Sequence, residues 1–155
     1  MKLLDSSEYP KRRQDLMNKM GPDSAIILAS GKEATRNADT NFRFRVDSDF
    51  YYLTGFQEPD AVFILRPGLE CGASILFCLP RDPATEQWVG RRLGPARAPE
   101  ELSIAAAYSI EELDKEMPKL LDGVEHLHFP MGRYAWLDES VGRWQRTLKE
   151  KERQG

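Results

Sequence analysis

The 155 residues are about the length of one domain, and 41% of them are hydrophobic and 30% charged, which is the composition of a globular protein. The net charge of -3 provides no general basic field, so non-specific binding to nucleic-acid phosphates is disfavoured. No apolar run reaches the roughly 18 to 20 residues that cross a bilayer, and the start of the chain lacks the apolar centre of a secretion signal. We therefore expect a cytoplasmic protein whose partners are neither nucleic acids nor membranes.

In the first half of the chain, the residue patterns predict a helix, a buried strand and a hairpin. Ser6 or Ser7 can cap the helix, and Gly21 with Pro22 ends it. Three apolar runs then predict strands, the first covered on both faces and the last two joined as an antiparallel hairpin: 24–29, 61–66 and 73–79.

Four aromatic rings lie close together between the first strand and the hairpin. Asp47 or Ser48 can cap a short helix over residues 49–54, which Gly55 ends. The rings divide between two faces of this helix. One face packs on the sheet and the other leaves an apolar patch exposed, and the four rings are Phe50, Tyr51, Tyr52 and Phe56.

The second half of the chain alternates short helices with short strands. Pro99 can start a helix, and strands are predicted at 105–108 and 124–129. Between them, a capping box begins at Ser109, and Pro118 predicts a kink or an early end of that helix near Met117. A final helix carries an apolar seam formed by Tyr134, Leu137, Val141, Trp144 and Leu148. These elements predict an α/β fold, with a mixed sheet of about five or six strands flanked by helices.

Few residue patterns point to chemistry. Cys71 and Cys78 match neither a redox pair nor a metal knuckle, and we expect both to be buried as small apolar groups. His126 and His128 would share one face of a strand, where they could hold one metal or face solvent. Phosphate-loop and nucleophile-elbow motifs are missing from the sequence.

Two motifs carry a specific resemblance. The run 45–62 reads RVDSDFYYLTGFQEPDAV and the run 85–94 reads TEQWVGRRLG. Together with the stretches at 12–14 and 35–39, they resemble the N-terminal domain of Xaa-Pro aminopeptidases, the aminopeptidase P family of creatinase/prolidase-type metallopeptidases. The likeness extends from about residue 7 to about residue 148.

The resemblance implies a fold, a partner domain and an activity. It implies a single N-terminal domain over 1–155, of ribonuclease-H-like or creatinase-like topology, without the catalytic "pita-bread" domain. In the family that second domain holds two manganese ions, so this chain would bind no metal and be no enzyme alone. The whole protein would release the N-terminal residue from peptides with proline second. Its partners would be its own catalytic domain, neighbouring subunits of a homo-oligomer and proline-containing peptides.

The resemblance also implies roles for single residues. Asp39 and Trp88 match family positions that approach the substrate pocket, although each can instead be purely structural. A carboxylate there would attract a peptide's amino terminus, and an indole ring would cover proline. Arg91 and Arg92 are interface or scaffold groups, as are the four clustered rings, whose exposed members would meet the catalytic domain or a partner subunit.

Three alternatives stay open at the level of the sequence. The chain could be a free-standing protein-binding module of the same fold, or the N-terminal domain of a proline dipeptidase. It could also be a metalloenzyme in its own right, by analogy with ribonuclease-H-like folds. That last reading needs a carboxylate cluster formed by Asp47, Asp49, Glu58 and Asp60, which are otherwise cap and turn residues.

Overall fold

The computed structural model describes residues 6–32, 44–84, 86 and 92–154. Within them, five strands form one mixed sheet: β1 Ser24–Ala29, β2 Val62–Leu65, β3 Ser74–Cys78, β4 Ala106–Ser109 and β5 His126–His128. The order across the sheet is β4-β3-β2-β1-β5. β2 is antiparallel to β1 and to β3, whereas β3 pairs in parallel with β4 and β1 with β5. β1, β3, β4 and β5 therefore all end at the same edge of the sheet.

Helices cover both faces of this sheet, as the sequence predicts. Successive strand residues point to opposite faces, so that Ile27 joins one apolar cluster and Leu28 the other. α4 and α5 contribute to the first cluster, and α1, α2 and α3 to the second. The helices are α1 Glu8–Lys19, α2 Ser48–Thr54, α3 Ala98–Leu102, α4 Leu113–Leu121 and α5 Ala135–Gln154.

The predicted hairpin and the first strand are confirmed. Ile64 of β2 lies opposite Ile75 of β3 and opposite Ile27 of β1, so β2 is hydrogen-bonded on both sides. All four β2 residues are buried, and β1 is buried at every position except the half-buried Ile26. Continuous burial follows from helices on both faces, which explains why these strands read as uninterrupted apolar runs.

Of the kink or early end predicted near Met117, the early end is wrong. α4 continues through Pro118 to Leu121, after a single 3-10 turn over Ile110–Glu112. Three of its buried side chains, Met117, Leu120 and Leu121, lie beside or after the proline in the chain. Burial of this apolar face keeps the last turn helical despite the missing backbone N–H.

The prediction for the two cysteines is right for Cys78 and wrong for Cys71. Cys78 ends β3 and is fully buried, whereas Cys71 is exposed in the turn between β2 and β3. Cys71 lies in the hairpin turn, outside the paired residues of β2 and β3, where the side chains of surface loops meet solvent.

Candidate functional site

The carboxyl end of β1 holds together the starts of α2 and β2. Ser30 is fully buried, and its backbone N–H donates to the Ala61 carbonyl at 2.9 Å, while its carbonyl accepts the Asp47 N–H at 2.9 Å. Its hydroxyl oxygen accepts the Ala61 N–H at 3.0 Å. Three chain segments are thus fixed at one point by one small polar residue.

Asp47 is the N-cap of α2, as the sequence predicts, and it also binds the segment before α5. Its Oδ1 accepts the backbone N–H groups of Asp49 and Phe50 at 3.0 and 3.1 Å. Its Oδ2 accepts the hydroxyl of Tyr134 at 2.7 Å and a guanidinium N–H of Arg133 at 2.9 Å. The Asp47 side chain is only 5% exposed, so this four-donor contact is largely shielded from water.

The hydrogen bond between Asp47 and Tyr134 and the burial of both residues shift their pKa values. Burial raises the pKa of Asp47, but the hydrogen bonds from Tyr134, from the Phe50 amide and from Arg133 outweigh it, so the pKa is lowered below its usual value. Burial first, and then the hydrogen bond to Asp47, raise the pKa of Tyr134 to about 12. At neutral pH the site therefore holds a charged carboxylate and a neutral phenol.

These contacts argue against the alternative of a metal site formed by Asp47, Asp49, Glu58 and Asp60. Asp49 also accepts from Arg133, at 3.0 Å, so the guanidinium already neutralises two of the four carboxylates. A third, Glu58, accepts the Leu93 N–H at 2.9 Å. No group of three or more His, Cys, Asp and Glu side chains that could hold a metal occurs among the described residues.

The four clustered rings separate by burial. Phe50 and Phe56 pack in the cluster shared with Leu28, at 0% and 5% exposure. Tyr51 lies with its ring edge towards Tyr9 at 6.0 Å between centroids, and Tyr52 is 54% exposed. The two phenylalanines are therefore buried, and Tyr52 is the exposed one of the four rings.

Tyr52 borders a groove between α1 and α2. The Arg12 guanidinium lies over the Tyr52 ring, 4.1 Å from its centroid, and donates to the Tyr52 carbonyl at 3.1 Å. The groove has a volume of about 400 Å³ and an apolar floor from Ile26, Leu28 and Leu53. Its rim is charged with both signs, through Arg12, Asp15, Lys19 and Asp49.

A second polar contact joins the side chain of Glu58 to the backbone at Leu93, shortly before α3. Glu58 is half-buried, and burial raises its pKa, while the Leu93 N–H and the charge of Arg92 act in the opposite direction. The Cys78 thiol is close enough to sense this charge, since burial first and Glu58 second raise its pKa to about 12. Arg92 is half-buried beside this contact.

The remaining candidate residues are placed as follows. His126 and His128 are both exposed on β5, in the register of Ser24 and Ile26 of β1. Three predicted site residues lie outside the described residues: Asp39, Trp88 and Arg91. The chain segments that carry Asp39 and Trp88 follow β1 and β3, which end at the same edge of the sheet.

Sequence reasoning misses the residues that bind Asp47 and those that join the helices. Nothing in the sequence distinguishes Arg133, and Tyr134 is predicted only as a member of an apolar seam. Arg13, 3% exposed, donates to the carbonyls of Leu53, Leu102 and Ser103 at 2.8, 3.1 and 2.8 Å, and so joins α1, α2 and α3. No periodicity signals such contacts, although Arg13 falls within one of the family stretches.

Comparison with known proteins decides the family. The family model "Aminopeptidase P, N-terminal domain" matches residues 9–128. The chain belongs to the aminopeptidase P family, as its N-terminal domain. The Xaa-Pro aminopeptidase of Haemophilus influenzae is 42% identical over 141 residues, which are 91% of this chain and 33% of that protein. The chain thus spans between about a fifth and a third of the length of the curated relatives it matches.

Solved aminopeptidase P structures show the same fold. Aminopeptidase PepP of Pseudomonas aeruginosa superposes with a TM-score of 0.94 at 38% identity, covering 100% of this chain and 35% of that one. Zinc-substituted Escherichia coli aminopeptidase P in complex with product gives a TM-score of 0.91 at 36% identity, covering 99% and 35%. In the part of the chain that the structure describes, no helix is both long and apolar enough to span a bilayer.

Proposed function

We propose that this chain is the non-catalytic N-terminal domain of a manganese-dependent Xaa-Pro aminopeptidase, where it walls the substrate pocket and mediates oligomerisation. The observation that carries the proposal is a family match over residues 9–128 in a chain that covers only 33% of its aminopeptidase relative. The remaining two thirds of the whole protein would carry the reaction, the release of an N-terminal residue that precedes proline. A cytoplasmic location is part of the same proposal.

Within this proposal, Asp39 and Trp88 are the pocket residues. Asp39 would attract the amino terminus of the peptide, and Trp88 would cover the proline ring. Support comes from the topology, because β1 and β3, after which these two residues follow in the chain, end at the same edge of the sheet. Arg91, Arg92 and the exposed Tyr52 would contribute to the contacts with the catalytic domain and with neighbouring subunits.

In this proposal, the two manganese ions are bound by the remaining two thirds of the whole protein. The described residues do not fit a dinuclear centre, because they bring together no three side chains of the ligating types. We therefore assign no metal ligand and no chemical step to this chain. Its proposed contribution is to bind and orient the peptide and to exclude water from one side of the pocket.

The first test is an activity assay of the chain alone. Incubated with a peptide of the Arg-Pro-Pro type and Mn²⁺, the purified chain should release no N-terminal arginine. Escherichia coli aminopeptidase P, assayed under the same conditions, serves as the positive control. Turnover by the pure chain would reject the non-catalytic role.

The second test asks whether the domain takes part in an active enzyme. A chimera carries this chain in place of the corresponding N-terminal third of Escherichia coli aminopeptidase P, with which it shares 36% identity. In the chimera, Trp88→Ala and Asp39→Ala should raise KM, because each removes a contact with bound peptide. Glu101→Gln, at an exposed ion pair with Arg97 on α3, is the matched control and should leave KM unchanged. Unchanged KM in both pocket variants would reject the pocket role.

Oligomerisation is tested by sedimentation of the chimera. Tyr52→Ser removes the exposed ring and should weaken subunit association. The parallel variant Met131→Ser, at the other exposed large hydrophobic side chain among the described residues, tells a specific effect from a general loss of apolar surface. Equal sedimentation of the chimera and the Tyr52→Ser variant would exclude Tyr52 from the interface.

A further inference from the structure

Strand β4 forms one edge of the sheet, and no described strand pairs with its outer side. The Ala105 N–H donates to the carbonyl of Ser74 in β3 at 2.9 Å, so the backbone groups of Ala105 face β3. Because these groups alternate in direction along a strand, those of Ala106 and Tyr108 face away from the sheet. Two N–H groups and two carbonyl groups are therefore turned outwards along β4, which we call the open edge.

The burial of β4 agrees with an unpaired outer side. All four of its residues are half-buried, whereas β3 beside it is buried at four of its five positions. Ala106 and Tyr108 pack towards one apolar cluster of the core and Ala107 towards the other. Because the side chains on both faces are partly exposed alike, the exposure follows from the missing neighbour strand.

The two edges of the sheet differ in how they are protected from pairing. β5, at the opposite edge, has only three residues, with Glu125 before it, Pro130 soon after it, and exposed side chains at His126 and His128. Short length, polar or charged side chains and proline all hinder the addition of another strand. The run 102–110 around β4, LSIAAAYSI, has neither a charged residue nor a proline.

Acidic side chains stand at both ends of this uncharged run. Glu100 and Glu101 precede it, and Glu111 and Glu112 follow it directly. Residues 97–119 carry six acidic and three basic side chains, so the surroundings of the open edge have a negative balance. Such a surface favours a partner with positive charge.

The structure places part of this charge beside the strand. Burial first, and then the charges of Glu116, Cys71 and Glu112, raise the pKa of Tyr108. Lys119 pairs with Glu116 at 3.7 Å. The two carboxylates therefore act on a side chain that lies on the open edge itself.

We propose that the open edge binds an extended, basic segment of another protein by strand addition. The outward backbone groups of Ala106 and Tyr108 hydrogen-bond to the added strand, and the flanking carboxylates attract lysine or arginine at its two ends. This role goes beyond the proposed function and does not rest on it.

A second copy of this chain is a poorer occupant of the open edge. Two β4 strands that paired antiparallel about a twofold axis would bring residues 100–101 of one copy beside residues 111–112 of the other. All four of these residues are glutamates, and like charges on paired strands are destabilising. The charge pattern therefore favours a different, basic chain over self-association.

The test is an NMR titration of the ¹⁵N-labelled chain with a capped peptide, Lys-Lys-Val-Thr-Val-Thr-Val-Lys-Lys. A second peptide carries glutamate in place of the four lysines. A third keeps the lysines but is N-methylated at the five central residues, which prevents it from pairing as a strand. The amide signals of Ala106 and Tyr108 should shift with the first peptide, while those of β5 stay unchanged. The other two peptides should bind at least about tenfold more weakly.

Three variants of the chain locate the contact. Ala106→Pro removes an outward N–H while the hydrogen bonds to β3 remain, and it should weaken binding at least about tenfold. The double variant Glu111→Gln and Glu112→Gln should weaken binding of the lysine peptide several-fold. Glu125→Gln removes an exposed carboxylate at the opposite edge and is the matched control, with unchanged binding. Should Ala106→Pro fail to fold, the glutamine variants and the N-methylated peptide decide.

Four outcomes would overturn the proposal. The first is the absence of any shift at Ala106 and Tyr108 up to about 1 mM peptide. The second is equal binding of the N-methylated peptide, which would leave only an attraction between charges. The third is self-association of the chain through these two residues in sedimentation and NMR without peptide, which would make a second copy the occupant. The fourth is binding to the chain but not to the chimera with Escherichia coli aminopeptidase P, since the rest of the enzyme would then cover β4.

None of these readouts involves peptidase activity. A failure of the pocket variants would therefore reject the proposed function without affecting the result at the open edge. Conversely, a negative titration would leave the proposed function unaffected.

Discussion

At the residue scale, the neighbouring carboxylates of Asp47 and Asp49 differ in burial and in the number of hydrogen bonds that they accept. Asp47 is 5% exposed and accepts four hydrogen bonds, whereas Asp49 is 63% exposed and accepts from Arg133. Asp47→Ala removes a helix cap and leaves the donors of Tyr134 and Arg133 without this acceptor. We expect a loss of about 2 to 4 kcal/mol in the free energy of unfolding, measured with urea.

The matched variant Asp49→Ala removes a solvent-exposed contact to the same guanidinium. It should cost less than about 1 kcal/mol, because exposed ion pairs are weakly stabilising. Similar losses in the two variants would contradict the assignment of Asp47 as the residue that joins α2 to the segment before α5.

The lowered pKa of Asp47 makes the same contact visible in the pH dependence of stability. Because the folded-state pKa lies below the unfolded value of 3.8, the contribution of Asp47 is fully present above that value. It is lost as the pH falls through the folded-state pKa. Unfolding followed with urea between neutral pH and the acid range should show a shallower acid loss in Asp47→Asn than in the wild type. Parallel curves for the two proteins would exclude Asp47 as a source of acid sensitivity.

Residue contacts of this kind could not be predicted from the sequence. The Asp47 cap follows from local chemistry and was predicted, but its partner Arg133 lies 86 positions away and leaves no periodic signal. Cys71 shows a second limit of sequence-based prediction. Its hydropathy allows the thiol to be buried, but its exposure depends on where the turn lies relative to the sheet. Burial of Cys78 was predictable, because it lies in the unbroken apolar run 75–79.

At the scale of elements, Arg13 joins three helices through backbone carbonyls near the carboxyl ends of α2 and α3. A buried guanidinium suits these carbonyls, since the carboxyl end of a helix carries partial negative charge. Arg13→Met keeps much of the apolar stem but leaves three carbonyls without a donor, and we expect it to cost about 3 kcal/mol in urea unfolding.

The adjacent Arg12 supplies the control for that experiment. It contacts the exposed ring of Tyr52 and one carbonyl, so Arg12→Met should cost no more than about 1 kcal/mol. If Arg12→Met proved the more damaging of the two, the helix-joining role of Arg13 would be refuted.

In helix α4, the substitution of Pro118 is expected to stabilise the folded protein. Pro118 lies inside the helix, where the missing N–H and the ring together cost up to about 3 kcal/mol. Pro118→Ala restores the N–H but adds about 1 kcal/mol of unfolded-chain entropy. We expect a net stabilisation of about 1 to 2 kcal/mol, seen as a higher urea midpoint.

The proline of α3 tests the same reasoning with the opposite outcome. Pro99 stands in the first turn of α3, where no backbone N–H is needed, so Pro99→Ala should give no gain. A gain at Pro99, or a lower midpoint for Pro118→Ala, would show that local helix chemistry does not govern these two sites.

The elements themselves were largely predictable, and the two errors have separate causes. Uninterrupted apolar runs located β1 and the hairpin, whose strands are covered on both faces, and apolar periodicity located α5, which buries one face. The helix end at Pro118 was misplaced because local propensity disfavours a continuation that burial of Leu120 and Leu121 enforces. The strand predicted over 124–129 is confirmed only at His126–His128, since just three of its residues pair with β1.

At the scale of the whole molecule, the reactivity of the two thiols tests whether the sheet unfolds as one cooperative unit. Cys71 is exposed in the hairpin turn, so it should react with Ellman's reagent in the native protein within the mixing phase. Cys78 is fully buried on β3, between β2 and β4, and its pKa of about 12 keeps the thiol protonated at pH 8. One thiol per native chain should therefore react fast and one slowly.

Opening of β3 requires separation of the hydrogen-bonded strands on both sides, which amounts to global unfolding. The slow phase should accordingly accelerate with urea as steeply as the unfolding rate measured by tryptophan fluorescence. Cys71→Ser should abolish the fast phase and leave the slow one unchanged, which assigns the two thiols. A slow phase that is insensitive to urea would mean that the end of β3 opens locally, and the sheet would then not unfold as one cooperative unit.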